Sequence, residues 1–142
     1  NGVVMKYKEK KHLKSAWTGK ASSYDKLWGN EILWSAFNSI HGKILSMNAG
    51  GKTSLKQHVH KNEVFYIMSG KVNIFYGNEA SLIDPVAHPF VESVLQEGDV
   101  FCVQSNCPYQ ITAIEDSKLI EIGDKTMPGG TVYLDEAETR KR

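Results

Sequence analysis

The chain has 142 residues with 17 Lys+Arg against 16 Asp+Glu, a net charge of +1, and is 41% hydrophobic. That length suits one domain that buries about 68–70% of its extended surface, and the balanced charge favours neither a nucleic acid nor a membrane surface as partner. No apolar run nears the roughly 18 residues of a membrane span and no signal-peptide pattern opens the chain. Cys102 and Cys107, close together and alone, indicate a reduced, cytoplasmic protein rather than a disulfide scaffold.

Val3 to Lys14 carries five lysines and one glutamate, which predicts a solvated arm, extended here over residues 1–25. Trp28 and Trp34 read as packing residues that cover one end of the fold, with an aromatic rim for a sugar as the alternative. Phe37 to Asn48 predicts two short strands with a turn at His41-Gly42-Lys43, and Gly50-Gly51 marks a bend. The runs Glu63–Met68 and Lys71–Tyr76 flank Ser69-Gly70, a hairpin signal with a glycine available for positive φ. Gly77 to Glu92 is broken by Asp84-Pro85 and His88-Pro89 and predicts an irregular connection. Short strands follow at Val100–Val103, Tyr109–Ile114 and Leu119–Ile122, separated by turns at Gln96–Asp99 and Glu115–Lys118. Residues 126–142 read as a polar tail. Many short strands, turn signals between them and no long amphipathic helix argue an all-β antiparallel sandwich or jelly roll.

The chemistry concentrates in Gly51 to Gly70. His58 and His60 are two residues apart, so a continuous strand points both imidazoles to one face. Glu63 lies at odd spacing from both, and a turn or bulge at Lys61-Asn62 would return its carboxylate to them. Two imidazole nitrogens and a carboxylate oxygen suit a divalent ion such as Zn, Mn, Fe, Ni or Co.

Gly51, His58, His60 and Glu63, followed by six residues and Gly70, resemble the first motif of the cupin superfamily. The segment Thr53 to Phe65, with Lys26-Leu27-Trp28-Gly29 upstream, is similar to the cupin domain that ends type II mannose-6-phosphate isomerases. The resemblance covers about residues 26–125. It implies a single-domain cupin, a double-stranded antiparallel β-helix of six to eight strands with a metal inside the barrel. It further implies His58, His60 and Glu63 as metal ligands. The second cupin motif, counted from Gly98, departs from the pattern at four positions: Gln104, Asn106, Tyr109 and Ala113 stand in place of Pro, Gly, His and Asn. Tyr109 thus takes the fourth ligand position, and a neutral phenol is a poor ligand for Zn or Mn. Three arrangements are open: two His and Glu63 with more water, a shell completed by Tyr109 or Gln110, or a vestigial site.

The resemblance implies a protein acting on a sugar or sugar phosphate by aldose–ketose isomerisation, with the metal as Lewis acid and a base moving the proton. Glu121, Tyr66 and His88 are the candidate catalytic groups. Lys56 and Tyr109 are candidate substrate contacts, and Lys43 and Lys52 further candidates for a phosphate. The alternative is a non-catalytic module binding a small carbohydrate or carboxylate over a vestigial metal site. The sheet edges of a small sandwich imply a homodimer.

Overall fold

The computed structural model describes residues 13–135; the basic run at 1–12 and residues 136–142 of the tail lie outside the described residues. Eleven strands succeed one another: β1 (Ser22–Lys26), β2 (Gly29–Phe37), β3 (Ile40–Met47), β4 (Lys56–His58), β5 (Glu63–Ser69), β6 (Lys71–Tyr76), β7 (Val91–Gln96), β8 (Val100–Val103), β9 (Tyr109–Ala113), β10 (Ser117–Asp124) and β11 (Thr131–Tyr133). They form a six-stranded sheet of order β1-β2-β3-β10-β5-β8 and a five-stranded sheet of order β11-β4-β9-β6-β7. Every pairing between them is antiparallel. The fold is a single-domain double-stranded β-helix, the expected jelly roll, with more strands than expected. Among the described residues no helix is long and apolar enough to cross a membrane.

Period-two alternation builds the interior. On β5, Glu63, Phe65 and Ile67 are buried while Val64, Tyr66 and Met68 are exposed. On β10, Ser117, Leu119 and Glu121 face in, and on β9 Tyr109, Ile111 and Ala113 do. These faces meet between the sheets in one core with Trp28, Leu45, Met47, Val72, Ile74, Phe101 and Val103. Each large side chain so buried contributes roughly 1.5–3 kcal/mol.

Four local expectations change. Ser69-Gly70 is a corner rather than a hairpin: β5 pairs with β10 and β8, whereas β6 pairs with β7 and β9, so the chain changes sheet there. Gly70 has φ 87°, and a Cβ on it would run into Ser117 Oγ and the Asp116 carbonyl. The turn expected around Gly42 falls at Asn38-Ser39, with Asn38 at φ 52°. Gly42 instead lies within β3 beneath the Trp34 ring, where the β2–β3 register slips between Leu33 and Ser35. β1 lies in the segment expected as arm and pairs with β2. β11 lies in the segment expected as tail and pairs with β4. The long connection is irregular as expected, with no strand between Tyr76 and Val91.

Candidate functional site

His58 ends β4 in the five-stranded sheet and Glu63 opens β5 in the six-stranded one, so residues 59–62 cross between sheets. The crossing is pinned at both ends. Val59 N–H donates to the Gly130 carbonyl at 2.8 Å, and Asn106 N–H to the His58 carbonyl at 2.6 Å. Asn62 N–H donates to Asp124 Oδ2 at 3.0 Å, and Ser105 N–H to Asn62 Oδ1 at 3.0 Å. The strand period stops at His58, and with it the expectation that His60 would share its face. His60 is exposed in the bend, whereas Lys61 turns inward and is 4% exposed.

The inward side chains line a cavity of about 140 Å³, room for roughly five waters at about 30 Å³ each and so for a small ligand no larger than a monosaccharide. Four lysines (Lys26, Lys43, Lys56, Lys61) and three glutamates (Glu31, Glu63, Glu121) line it, with His58, Tyr109, Trp28, Thr53, Thr126, Thr131 and Tyr133 among the rest. Glu63 is its hub. Tyr109 Oη donates to Glu63 Oε1 at 2.5 Å, His58 Nε2 lies 3.3 Å from the same oxygen, and Lys61 Nζ lies 3.3 Å from Oε2. His58 Nδ1 bonds Thr131 Oγ1 at 2.9 Å, so β11 fixes the ring. Lys61 Nζ donates to His41 Nδ1 at 2.9 Å and to Thr126 Oγ1 at 2.7 Å, and lies 3.9 Å from Glu121 Oε2. Lys43 pairs with Glu31 at 3.2 Å, and Lys56 Nζ sits 4.9 Å over the Tyr109 ring.

Burial and neighbours push the two central carboxyls apart. Burial alone would raise Glu63, but its hydrogen bonds with His58 and Glu121 and the charge of Lys61 outweigh it and hold the group well below the carboxylate range. Glu121 is raised to about 8 by burial, then by the charge of Glu63, against the opposing pull of Lys43. Glu63 is thus ionised and Glu121 protonated at neutral pH, the environment-split pair that assigns acid–base roles. Burial and both glutamates lift Tyr109 well above 10, so it stays a neutral phenol. Burial, then Lys61 and Lys43, lowers His41 to about 4, which leaves a neutral ring to accept from Lys61. Burial opposes the charge on Lys43, yet Glu121 and Glu31 raise it overall.

Of the residues singled out in the sequence, His58, Glu63, Tyr109, Glu121, Lys56 and Lys43 meet at the cavity. His60 does not line it. Tyr66 points outward and is 45% exposed, and His88 is exposed in the long connection, bonded to Asn78 Nδ2 at 3.2 Å. Lys52 is exposed, on an isolated bridge to Thr112. Gln110 turns away, its amide donating to the Thr53 carbonyl at 3.0 Å.

The expected metal ligand set does not form. A zinc-type site needs three or more convergent donors; here His60 is absent from the cluster, and the Tyr109 proton is already committed to Glu63. Among the described residues no group of three His, Cys, Asp or Glu is placed to hold a metal. The Lys61 ammonium already stands beside Glu63 Oε2, where a cation would have to sit. These residues do not fit a divalent ion.

Sequence reasoning overlooked Lys61, His41, Thr126 and Thr131. A lysine flanked by a histidine strand and a glutamate looks like solvent-facing punctuation, and its inward turn depends on the sheet change. Lys43 carried a signal: it shares the buried face of β3 with Leu45 and Met47.

The structure is similar to KdgF from Halomonas sp., at 14% identity and a TM-score of 0.56, over 69% of this chain and 81% of that one. It is similar to the capsular polysaccharide assembling protein CapF from Staphylococcus aureus, at 16% identity and a TM-score of 0.63, over 84% of this chain and 34% of that one. Oxalate decarboxylase from Bacillus subtilis matches at 15% identity and a TM-score of 0.65, over 85% of this chain and 34% of that one. The chain thus spans about a third of the latter two proteins, and likeness at these identities concerns the fold. No functionally curated protein matches the sequence. The cupin family model matches residues 38–134, which hold β3 to β11 and all the cavity residues named above except Lys26, Trp28 and Glu31; the chain belongs to the cupin family.

Proposed function

We propose that this cupin binds a small anionic carbohydrate, a sugar phosphate or sugar acid, in the barrel cavity and interconverts its aldose and ketose forms by proton transfer. The observation that carries the reading is the pair Glu63 and Glu121, brought together with several lysines in one buried cavity, Lys61 lying 3.3 Å from the first and 3.9 Å from the second. A group raised to about 8 changes its proton near working pH, as a catalytic acid–base should. Glu121, once it has given up its own proton, takes the proton from the carbon beside the carbonyl and returns it to the former carbonyl carbon, while the hydroxyl proton passes to the former carbonyl oxygen. Lys43, its cross-strand partner, supplies positive charge to the oxygen that becomes an enediolate. Lys56, the lysine beside the histidine strand that is suited to meet a phosphate, lies at the same cavity. The resemblance of Thr53–Phe65 to mannose-6-phosphate isomerase cupins supports a hexose 6-phosphate, and the capsular polysaccharide protein among the similar folds supports carbohydrate chemistry in general.

Incubation with mannose 6-phosphate and fructose 6-phosphate in D2O tests this, with deuterium at the carbon beside the carbonyl read by mass spectrometry. Exchange that Glu121→Gln abolishes while binding persists supports the reading; no binding of either sugar phosphate contradicts it. Binding without exchange favours a non-catalytic module, which the full set of partners already holding Glu63 also supports. The reading keeps the reduced cytoplasmic setting, consistent with free thiols at Cys102 and Cys107. It also keeps the homodimer, supported by exposed Val64, Tyr66 and Met68 on β5 and Val100 on the neighbouring edge strand β8. A single-chain sedimentation mass at all concentrations contradicts the dimer.

A further inference from the structure

We propose that the Lys61 ammonium is a built-in cation that takes the place of a metal ion in this barrel, so that the parent protein excludes divalent metal and replacement of Lys61 admits one. The inference does not depend on what the cavity binds.

Lys61 is 4% exposed and reaches the carboxylate hub from the sheet crossing. Its Nζ meets Glu63 at 3.3 Å, His41 at 2.9 Å and Thr126 at 2.7 Å, with Glu121 at 3.9 Å. An ammonium has three N–H donors and no acceptor, and these close contacts use all three. The cation is therefore saturated like an ion in a closed coordination shell, with no open position for a ligand to enter. A second, divalent cation would find its anionic oxygen already engaged and an ammonium beside it. Strand geometry explains how this arose without disturbing the fold. Because the chain changes sheet after His58, residue 61 has the inward direction that residue 60 would have on an unbroken strand.

Removal of the ammonium frees Glu63 Oε2 beside the His58 imidazole, whose Nε2 lies 3.3 Å from Oε1, with the Glu121 carboxyl on the same cavity wall. Lys61→His adds a neutral nitrogen donor at the same inward position. Co2+ alone is the probe, added to the chelator-treated parent, Lys61→His and Lys61→Ala, with bound metal counted after gel filtration and its visible absorption recorded. Expected are less than about 0.1 equivalent in the parent, and about one equivalent with four- or five-coordinate cobalt bands in at least one variant. Adding His58→Ala to that variant should abolish the binding. Circular dichroism of each variant confirms the fold, and the two replacements differ enough in size that one tolerates the cavity. An equivalent of Co2+ in the parent that His58→Ala removes overturns the proposal, as does a failure of both folded variants to gain cobalt. Neither result bears on sugar-phosphate binding, which is measured separately on the parent.

Discussion

Leu119 and Glu121 point to the same side of β10, two residues and about 7 Å apart, yet they sit in opposite environments. Leu119 is flanked across the sheet by Ile67 and Leu45, whereas Glu121 is flanked by Phe65 and Lys43. The same change of character occurs along β5, from Ile67 through Phe65 to Glu63, and along β3, from Met47 through Leu45 to Lys43. Antiparallel register stacks these transitions at one level, so the barrel interior divides into an apolar layer and a charged layer built from the same strands. The apolar layer derives its stability from area alone and is indifferent to pH. The charged layer is stable only as a matched set, since each buried charge needs its partner. Stability therefore resides in one layer and chemistry in the other.

The sharpest way to break the apolar layer is Phe65→Ala. Phe65 is 1% exposed, with ring centroids 6.0 Å from Phe101 and 5.7 Å from Tyr109. Its truncation leaves a cavity at the boundary between layers and should cost about 3–5 kcal/mol in chemical denaturation. A loss under about 1 kcal/mol would show that the layers do not pack as one interior.

In the charged layer Tyr109→Phe should cost less, about 1–3 kcal/mol, by leaving Glu63 Oε1 short of its 2.5 Å donor while preserving the ring contacts. Denaturation midpoints of the two variants at the same pH rank them. The reverse order would mean that the hydrogen bond outweighs the packing.

The layers also differ in their response to pH. Glu121 is raised from 4.5 to about 8, so the fold favours its protonated form. Its contribution is complete below pH 4.5, where both states are protonated, and is lost as pH rises through about 8. Glu63, depressed from 4.5, contributes above that value and loses its contribution as pH falls below it. Glu121→Gln should therefore flatten the decline in melting temperature between pH 4.5 and 8 and leave the acid limb in place. Parallel curves for parent and variant across that window would contradict the assignment.

The apolar layer was largely legible in the sequence. Alternation in Tyr109–Ile114 and the apolar runs at Lys71–Tyr76 and Leu119–Ile122 marked strands, and turn residues at Gly70 and Gly98 marked their ends. Pairing was not legible, because Gly70 signals a reversal whether the chain returns in the same sheet or crosses to the other. Trp34 over Gly42 was likewise hidden, since a mid-strand glycine and a turn glycine look alike without the register. At the site, the motif identified His58 and Glu63, whereas Glu121 stood beside Tyr66 and His88 as a candidate base with no positional argument to separate the three. The partners of Lys61 were out of reach, because His41 and Thr126 come from segments 20 and 65 residues away.

His60 gives the finest test of the contrast between layers, because it belongs to the motif yet to neither layer. A continuous strand would give His58 and His60 one environment; the crossing after His58 gives them opposite ones. His58 is 8% exposed, lies 3.3 Å from Glu63 and is held by Thr131 at 2.9 Å. Its replacement by alanine removes a neighbour from a buried carboxylate and a partner from β11, with an expected loss of about 1–3 kcal/mol. His60 is exposed in the bend, where the backbone is held by the contacts of Val59 and Asn62 rather than by its own ring. His60→Ala should therefore stay within about 0.5 kcal/mol of the parent and leave sugar-phosphate binding unchanged. Equal effects of the two alanine variants on stability and binding would mean that both imidazoles point into the barrel and that the strand is continuous through residue 60.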